Sequence, residues 1–272
     1  MKAREECYSC LEGLLRQAAE LAAEQSELKD QVIEQGLQLL DKEFSTDKTT
    51  IVVATKLHRL VRELTGNRDP YRQIKEAEVA MAVELRRSVG DDTKWNLRDY
   101  LVYAARGNNI DFFMAIDDII KEIAKPVEFS IDDTPELERK LTETKSILYL
   151  ADNAGEVPFD VPLVRLFGKY APVTYVVKES PVQDDITIAD VEKFGMTGEL
   201  PGILSTGTDT PGVVMDMASP EFKTSFEDAD LVLAKGMGYW ETLEELPARG
   251  KVFHLLKTKC KPVADSLGVN LN

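Results

Sequence analysis

Up to about residue 125, apolar residues recur every three or four positions, and charged residues fill most of the positions between them. This spacing is typical of amphipathic helices that each bury one face. Thr49-Thr50 and Asp69-Pro70 favour helix starts, whereas Gly66-Asn67 and Gly90-Asp91-Asp92 favour helix ends. The pattern predicts five helices, at residues 11–22, 32–40, 51–64, 70–87 and 97–124, the last interrupted at Gly107-Asn108-Asn109.

The pattern changes at Lys145, where short apolar runs begin to alternate with helical segments. The predicted strands are 146–150, 173–177, 203–206, 231–234 and 252–256, and the predicted helices are 135–143, 157–169 and 186–194. Strands that alternate with helices indicate a parallel sheet whose strands are buried. The predicted fold is therefore α/β, with an N-terminal helical bundle domain at residues 1–133. A C-terminal domain at residues 134–272 would hold a mostly parallel sheet flanked by helices.

The composition, 43% hydrophobic and 30% charged residues, is that of a globular protein. A net charge of -15 argues against a nucleic-acid partner, because phosphate backbones need a basic surface. No apolar run reaches the roughly 20 residues that span a bilayer, and the first residues lack the apolar core of a signal peptide. We therefore expect a cytoplasmic protein with no membrane partner. Three cysteines and two histidines disfavour a disulfide scaffold and a His-rich zinc site.

Polar residues follow the strong predicted strands. Asp152-Asn153 follows the first of them, and these residues offer a carboxylate and an amide carbonyl, oxygen ligands that suit Mg²⁺ or Mn²⁺. The clusters after later strands are Lys178-Glu179-Ser180-Pro181 with Asp184-Asp185, Lys235-Gly236-Met237-Gly238, and Lys257-Thr258-Lys259-Cys260. The carboxyl ends of parallel strands lie at one edge of a sheet, where open α/β folds bind ligands, so these clusters should converge. Alternatively, each is an ordinary turn or a solvated lysine.

Seven stretches of the chain resemble motifs of the damage-control phosphatases, formerly the domain-of-unknown-function family eighty-nine. The motif Asp-Asn-x-Gly-Glu at Asp152-Asn153-Ala154-Gly155-Glu156 is one of them. The other stretches are 6–11, 64–71, 107–111, 178–187, 235–241 and 255–260. They are colinear over nearly the whole chain, and the chain is similar to the stand-alone prokaryotic subfamily, which has an N-terminal Cys-x-x-Cys.

The resemblance implies a metal-dependent phosphatase for small phosphorylated metabolites, including damaged ones. Its metal ligands would be Asp152, Asn153 and Asp185, and the expected metal is Mn²⁺, Ni²⁺, Co²⁺ or Mg²⁺. The chain departs from the family pattern at three positions near the expected site. These are Glu179 in place of a glycine, Asp184 in place of an asparagine and Tyr239 in place of an asparagine. These departures put the substrate preference in question and leave the metal ligands unchanged.

A phosphomonoester dianion repels nucleophiles, so its hydrolysis needs charge neutralisation and in-line positioning. We expect Asp152, Asp185 and Lys235 to be catalytic. The expected substrate contacts are Glu156, Ser180, Lys235, the backbone N–H groups of Gly155 and Gly236, and either Lys257 or Lys259. The sequence leaves the nucleophile open between a metal-bound hydroxide and Asp152 itself.

Cys7 and Cys10 form a Cys-x-x-Cys at the start of the first helix, and Cys260 follows the last strand. One interpretation is that Cys7 and Cys10 are two small apolar residues on a helix. The other is that they hold a second metal or an iron–sulfur cluster, with Cys260 as the third ligand, and the resemblance favours this second interpretation. A redox pair is disfavoured because the motif does not lie at a strand-to-helix turn.

The alternative to an enzyme is a non-catalytic protein that binds a metal or metabolite on the same fold, as the three departures suggest. A methyltransferase is disfavoured because no Gly-x-Gly loop follows the first strand, and a P-loop kinase because Gly-x-x-x-x-Gly-Lys is absent. The expected partner is a small phosphorylated metabolite, bound by a monomer or a small homo-oligomer.

Overall fold

The computed structural model describes residues 1–89, 95–108, 121, 125–247 and 250–271. The predicted helix end at Gly90-Asp91-Asp92 and most of the second half of the fifth predicted helix, with Asn109-Ile110-Asp111, lie outside the described residues. No helix in the described part of the chain is both long and apolar enough to cross a membrane.

The N-terminal half is helical, as the periodicity predicts. Its helices are α1 Cys7–Ala22, α2 Ser26–Glu43, α3 Thr50–Thr65, α4 Arg72–Val89 and α5 Leu97–Gly107. Helix α3 begins where Thr49 accepts a hydrogen bond from the Ile51 N–H and ends at Gly66, whose φ of 69° is left-handed. Helix α4 begins two residues after Pro70, because residues 70 and 71 form a turn first.

Helices α1, α2 and α3 pack against one another around a shared apolar core. The buried side chains of this core include Leu11, Leu15, Leu40, Val53 and Leu57. Helices α4 and α5 instead contact the C-terminal half, and Leu97 and Leu101 join the core that lies against the sheet. The predicted domain boundary at residue 133 stays a prediction.

The C-terminal half holds a five-stranded sheet in the order β3-β2-β1-β4-β5, and all of its pairings are parallel. The strands are β1 Ile147–Leu150, β2 Val173–Val177, β3 Ile203–Ser205, β4 Leu231–Lys235 and β5 Val252–Leu255. This confirms the predicted α/β class and places the five strands as the apolar runs indicated. Along the chain, β2 and β3 add to one side of β1, whereas β4 and β5 add to the other. The strand order therefore reverses between β1 and β4, where open α/β sheets bind ligands.

The sheet is covered by helices that follow or precede its strands. They are α6 Thr134–Leu141, α7 Val157–Phe167, α8 Ile188–Lys193, α9 Pro220–Asp228, α10 Met237–Leu243 and α11 Lys261–Leu267. A short 3-10 helix, Ala154–Glu156, joins β1 to α7, and Gly236 alone joins β4 to α10. Both connections lie at the carboxyl edge of the sheet, on either side of the reversal.

Candidate functional site

A cavity of about 350 Å³ lies at the carboxyl edge of the sheet. One polar wall of it is formed by Asp152 and Asn153 after β1 and by Gln183, Asp184 and Asp185 after β2. The rest of the lining comes mainly from helices α1 and α3, the start of α10 and the segment before α11. The other lining residues are Met1, Glu6, Cys7, Cys10, Leu11, Leu14, Thr50, Ile51, Ala54, Asn108, Pro211, Gly212, Met237, Gly238, Glu241, Lys259, Cys260 and Pro262.

Backbone pairing beyond the strands brings the predicted metal ligands together. The Ile186 N–H donates to the carbonyl oxygen of Asp152 at 2.9 Å, and the Ala154 N–H donates to that of Asp184 at 2.8 Å. Asn153 and Asp185 form an antiparallel bridge between these two hydrogen bonds. The segments after β1 and β2 therefore run side by side and line one wall.

Gly236 lets the start of α10 approach this wall closely. Its φ is 80°, in the left-handed region, and its N–H donates to the carbonyl oxygen of Leu255 at 3.0 Å. A β-carbon at this position would overlap the carboxylate of Asp152. Only glycine satisfies both the backbone conformation and the close approach. Gly236 itself does not line the cavity.

The carboxyl groups on this wall are buried close to one another, which disfavours their ionised forms. Burial raises the pKa of Asp152 well above its usual range, and the charges of Glu156 and Asp185 raise it further. Burial also raises the pKa of Asp184. The pKa of Asp185 rises to about 7, mainly through burial, against the lowering effect of Lys178 and with a further contribution from Asp184. A carboxylate set of this kind is stabilised by a bound cation.

Lys178 is buried beside Asp185 rather than exposed at the strand end. Its Nζ lies 3.5 Å from Oδ2 of Asp185, donates to the carbonyl oxygen of Gly212, and lies 3.1 Å from the Tyr239 hydroxyl. The same ammonium lies 4.3 Å from the centre of the Tyr239 ring. Tyr239, one of the three departures from the family pattern, thus contacts this lysine and is fully buried.

Lys235 takes part in a second buried charge cluster. Its Nζ lies 2.7 Å from Oε2 of Glu156 and 2.6 Å from Oδ1 of Asp160, and it donates to the carbonyl oxygen of Ala104 at 3.1 Å. The hydroxyls of Tyr149 and Tyr175 donate to the two oxygens of Asp160 at 2.7 and 2.8 Å. Every carboxylate oxygen of Asp160 therefore has a partner, which is what a fully buried carboxylate requires.

Asn108, at the end of α5, joins the two clusters. Its Nδ2 donates to Oε1 of Glu156 at 2.6 Å and lies 3.4 Å from Oδ2 of Asp152. Sequence analysis placed Asn108 only within a motif and did not propose it, Lys178 or Asp160 as site residues. One signal for Asp160 was available, because Glu156 and Asp160 are four residues apart and share a helix face.

The other predicted substrate contacts differ in where they lie. Lys259 lines the cavity, and it is the one Lys or Arg side chain among the described residues that does so. Ser180 and Lys257 are half-buried outside the lining, and Glu179 is exposed. Lys235 is also outside the lining, because its ammonium is directed to Glu156 and Asp160.

The three cysteines line the same cavity as the carboxylates. Cys7 is buried, Cys260 is half-buried and Cys10 is exposed, and none is in a disulfide. Burial raises the pKa of Cys10 and of Cys260, which favours the thiol over the thiolate. Within the described residues, no three His, Cys, Asp or Glu side chains converge as a metal site. The cysteines are therefore neighbours of the candidate site but do not form a preformed ligand cage.

Comparisons with known proteins show which family this chain resembles over its whole length. The model of the damage-control phosphatase ARMT1-like domain matches residues 3–272. A damage-control phosphatase of Pyrococcus horikoshii is 30% identical over 99% of this chain and 95% of its own length. One of Archaeoglobus fulgidus is 30% identical over 100% of this chain and 97% of its own length.

The fold agrees as well. The crystal structure of a DUF89 family protein from Pyrococcus horikoshii superposes with a TM-score of 0.91 at 30% identity, and the match covers 100% of this chain and 96% of that one. Together with the colinear motifs, these matches confirm the resemblance to the family found in the sequence, whereas the subfamily with an N-terminal Cys-x-x-Cys stays a prediction. This chain belongs to the damage-control phosphatase family, with an ARMT1-like domain that spans nearly its whole length.

Proposed function

We propose that this protein is a metal-dependent phosphatase that hydrolyses phosphomonoesters of small metabolites, damaged metabolites among them. The observation that carries the proposal is the cavity wall on which Asp152, Asn153 and Asp185 lie together, in a chain of this family. The relatives from Pyrococcus horikoshii and Archaeoglobus fulgidus carry the name damage-control phosphatase, which supports the reaction class.

The residues present fit a divalent cation. Oδ2 of Asp185 is buried and has no hydrogen-bond partner among the described residues, and the ammonium of Lys178 lies 3.5 Å from it. Oδ1 of Asn108 is likewise buried and has no hydrogen-bond partner in the part of the chain that the structure describes. Asp152, Asn153 and Asp185 would hold the metal through oxygen atoms, the donor type that Mg²⁺ and Mn²⁺ prefer. A bound divalent ion would polarise the phosphoryl group and lower the pKa of a coordinated water.

Protein side chains would do the remaining work. Lys259, on the cavity lining, would neutralise a phosphate oxygen that the metal does not reach. Lys178, beside Asp185, and Lys235, beside Glu156, would offset part of the negative charge of these carboxylates. The cavity would then repel a phosphate dianion less. Asn108 would hold Asp152 and Glu156 in place through its amide N–H groups.

The N–H group of Gly155 remains a proposed donor to a substrate oxygen, whereas that of Gly236 already donates to the carbonyl oxygen of Leu255 and is given no such part. Ser180 and Lys257 lie outside the cavity lining, so we give them no part in the reaction.

The cysteines stay outside this mechanism. A second metal or an iron–sulfur cluster at Cys7, Cys10 and Cys260 remains a prediction. Among the described residues these three side chains do not form a preformed metal site. Metal analysis of protein purified anaerobically tests it. Iron or zinc that is retained by the protein and lost in Cys7→Ser would support the cluster, and the absence of both metals would exclude it.

The test of the proposed function is a panel of sugar phosphates, nucleotides and phosphorylated cofactors, assayed for released phosphate. The protein is first stripped of metal and then reloaded with Mg²⁺, Mn²⁺, Co²⁺ or Ni²⁺. We expect hydrolysis that requires the metal and that falls at least about 100-fold in Asp185→Asn. Asp216→Asn, the same change at an exposed position outside the cavity, is the matched control.

Two results would contradict the proposal. Full activity of Asp185→Asn would show that the carboxylate wall is not the site. Metal binding by calorimetry without hydrolysis of any substrate would instead support the alternative, a non-catalytic protein that binds metal or metabolite. Asp184 is the departure from the family pattern that lines the cavity, so Asp184→Asn tests whether its extra charge suppresses turnover.

A further inference from the structure

Gln183, on the polar wall of the cavity, has a backbone conformation that residues other than glycine rarely adopt. Its φ is 47°, and among the described residues it is the one non-glycine with a left-handed φ. The Asp185 N–H donates to the carbonyl oxygen of Val182 at 3.2 Å and closes a turn with Gln183 and Asp184 at its centre. Glycine, asparagine or aspartate is usual at such a position, because other side chains meet backbone strain there.

The chain is fixed on both sides of Gln183, so a shift of the turn cannot relieve this strain. Before it, the guanidinium of Arg62 donates to the carbonyl oxygen of Pro181. After it, the Ala154 N–H donates to the carbonyl oxygen of Asp184 at 2.8 Å. Strained residues persist where the surrounding contacts over-determine them, and they concentrate at functional sites. The conformation of Gln183 therefore points to a role for its side chain, since glycine would fit the turn with less strain.

The side-chain amide of Gln183 is available to a ligand. Gln183 is half-buried, it lines the cavity, and its amide forms no hydrogen bond with another described residue. Two other amides line the cavity in the described part of the chain, Asn153, a proposed metal ligand, and Asn108, which donates to Glu156. A primary amide can donate to one oxygen and accept from a hydroxyl at the same time. Of these three amides, that of Gln183 is the one whose donor and acceptor both have no other assigned partner.

We propose that Gln183 is a specificity-determining residue whose side-chain amide binds a hydroxyl group on the leaving group of the phosphate ester. The proposal rests on the proposed phosphatase function and deepens it, because it names a residue that distinguishes substrates at the same site. Gln183 lies two residues before Asp185, so a phosphate held at Asp185 would bring its leaving group near this turn. A side chain retained for binding rather than for folding should increase specificity at a small cost in stability.

Gln183→Met tests the amide, because it keeps the length of the side chain and removes the hydrogen-bonding groups. The variant and the unchanged protein, both loaded with metal, are compared on a hexitol 6-phosphate and on hexyl phosphate. These substrates have the same carbon chain and the same primary phosphate ester, and differ in the hydroxyls. We expect kcat/KM for the hexitol phosphate, relative to hexyl phosphate, to fall on the order of 10-fold, the effect of losing about one hydrogen bond between uncharged groups. Gln38→Met, the same change at an exposed position on α2, is the matched control and should leave this ratio unchanged.

Gln183→Gly distinguishes a binding role from a structural one. Glycine removes the strain of the left-handed φ, so we expect Tm to rise by about 1–3 °C while the same substrate ratio falls. A lower Tm would show that the side chain stabilises the fold, and the assignment to the substrate would then be wrong. Gln183→Asn retains an amide and tolerates the left-handed backbone, so it should keep part of the ratio that Gln183→Met loses.

The outcomes separate this proposal from the proposed function. If Gln183→Met leaves the ratio of the two substrates unchanged, or weakens metal binding in its place, Gln183 does not bind the hydroxyl and the phosphatase still stands. If the unchanged protein hydrolyses no phosphate, the proposed function is wrong. Calorimetry with hexylphosphonate and the corresponding hexitol phosphonate then tests Gln183. An affinity ratio that Gln183→Met does not change would overturn its role, and a weaker relative affinity for the hexitol phosphonate would support it.

Discussion

The α-carbon of Gly236 is so close to the carboxylate of Asp152 that a β-carbon at this position would overlap it. The contact joins the end of β4 to the end of β1, across the point where the strand order reverses. Asp152 is a proposed metal ligand, so the position of its carboxylate depends on the absence of a side chain at residue 236.

Gly236→Ala should therefore reduce both activity and stability. The alanine β-carbon displaces the Asp152 carboxylate, and a shift of about 1 Å at a catalytic group costs on the order of 100-fold in rate. The left-handed φ of 80° adds about 1–2 kcal/mol of backbone strain. The measurements are kcat with saturating metal and the free energy of unfolding by urea.

The control for this variant is Gly268→Ala, at the end of α11. Gly268 has a left-handed φ of 68° and open space around its α-carbon, so alanine there meets the strain without the overlap. We expect a similar loss of stability and no loss of kcat. Equal activity of the two variants would show that the approach of Gly236 to Asp152 has no part in catalysis.

Lys235→Met tests the buried cluster around Asp160. The substitution leaves Glu156 and Asp160 buried without the ammonium that lies 2.7 and 2.6 Å from them. Removing one partner of a buried ion pair destabilises a protein by about 3–5 kcal/mol, and we expect a loss of this size at pH 7. Lys251→Met, at a lysine that donates to the backbone carbonyls of Phe226 and Glu227 and is less deeply buried than Lys235, should cost less. Urea denaturation of both variants provides the comparison, and a smaller loss for Lys235→Met than for Lys251→Met would contradict this assignment.

The pH dependence of stability should differ between metal-free and metal-loaded protein. Burial raises the pKa of Asp185 to about 7, whereas an unfolded aspartate titrates near 3.9. The folded metal-free state therefore retains a proton that the unfolded state has lost, and its stability falls as the pH rises from about 4 to about 7. A metal binds the ionised carboxylate, so its stabilising effect grows over the same interval.

Thermal unfolding between pH 5 and pH 8 measures this difference. We expect the gap in Tm between metal-loaded and metal-free protein to widen as the pH rises, at a fixed concentration of free metal. In metal-free Asp185→Asn the fall in stability with pH should be smaller, because the residue no longer titrates. A gap that stays constant across the range would mean that Asp185 does not ionise on metal binding.

The sequence predicted the sheet and its polar edge because both follow from local patterns. Runs such as Val173–Val177 are too apolar and too short for anything but buried strands, and parallel pairing then puts their ends at one edge. Asp152, Asn153 and Asp185 converge for this reason. Ser180 and Lys257 lie outside the cavity lining, and their role as substrate contacts stays a prediction, since beyond the last paired residue the pattern no longer fixes where a side chain points.

Local sequence patterns could not predict the contacts between the N-terminal and C-terminal halves of the chain. Asn108 reaches Glu156 across 48 positions of sequence, and Leu14 and Ile51 line the cavity at the sheet edge only because α1 and α3 pack there. Periodicity shows that a helix buries one face, but it does not show which element that face packs against. Lys235 was expected at the phosphate because the polar clusters after the strands should converge at one edge, whereas its ammonium instead lies against the buried carboxylates of Asp160 and Glu156.

Asn108→Asp tests the amide that joins the two clusters. The variant keeps the shape of the side chain but replaces the donor to Glu156 with an oxygen, which would face the carboxylates of Glu156 and Asp152 at 2.6 and 3.4 Å. Repulsion should displace both carboxylates, so we expect kcat to fall on the order of 100-fold with a smaller change in KM. Asn96→Asp, at the other end of the same helix, is the matched control, because aspartate caps a helix start as well as asparagine does. If the two variants retain equal kcat, Asn108 has only the structural role of ending α5. If Asn108→Asp alone loses turnover while its free energy of unfolding stays near that of Asn96→Asp, the amide positions the carboxylates of Asp152 and Glu156.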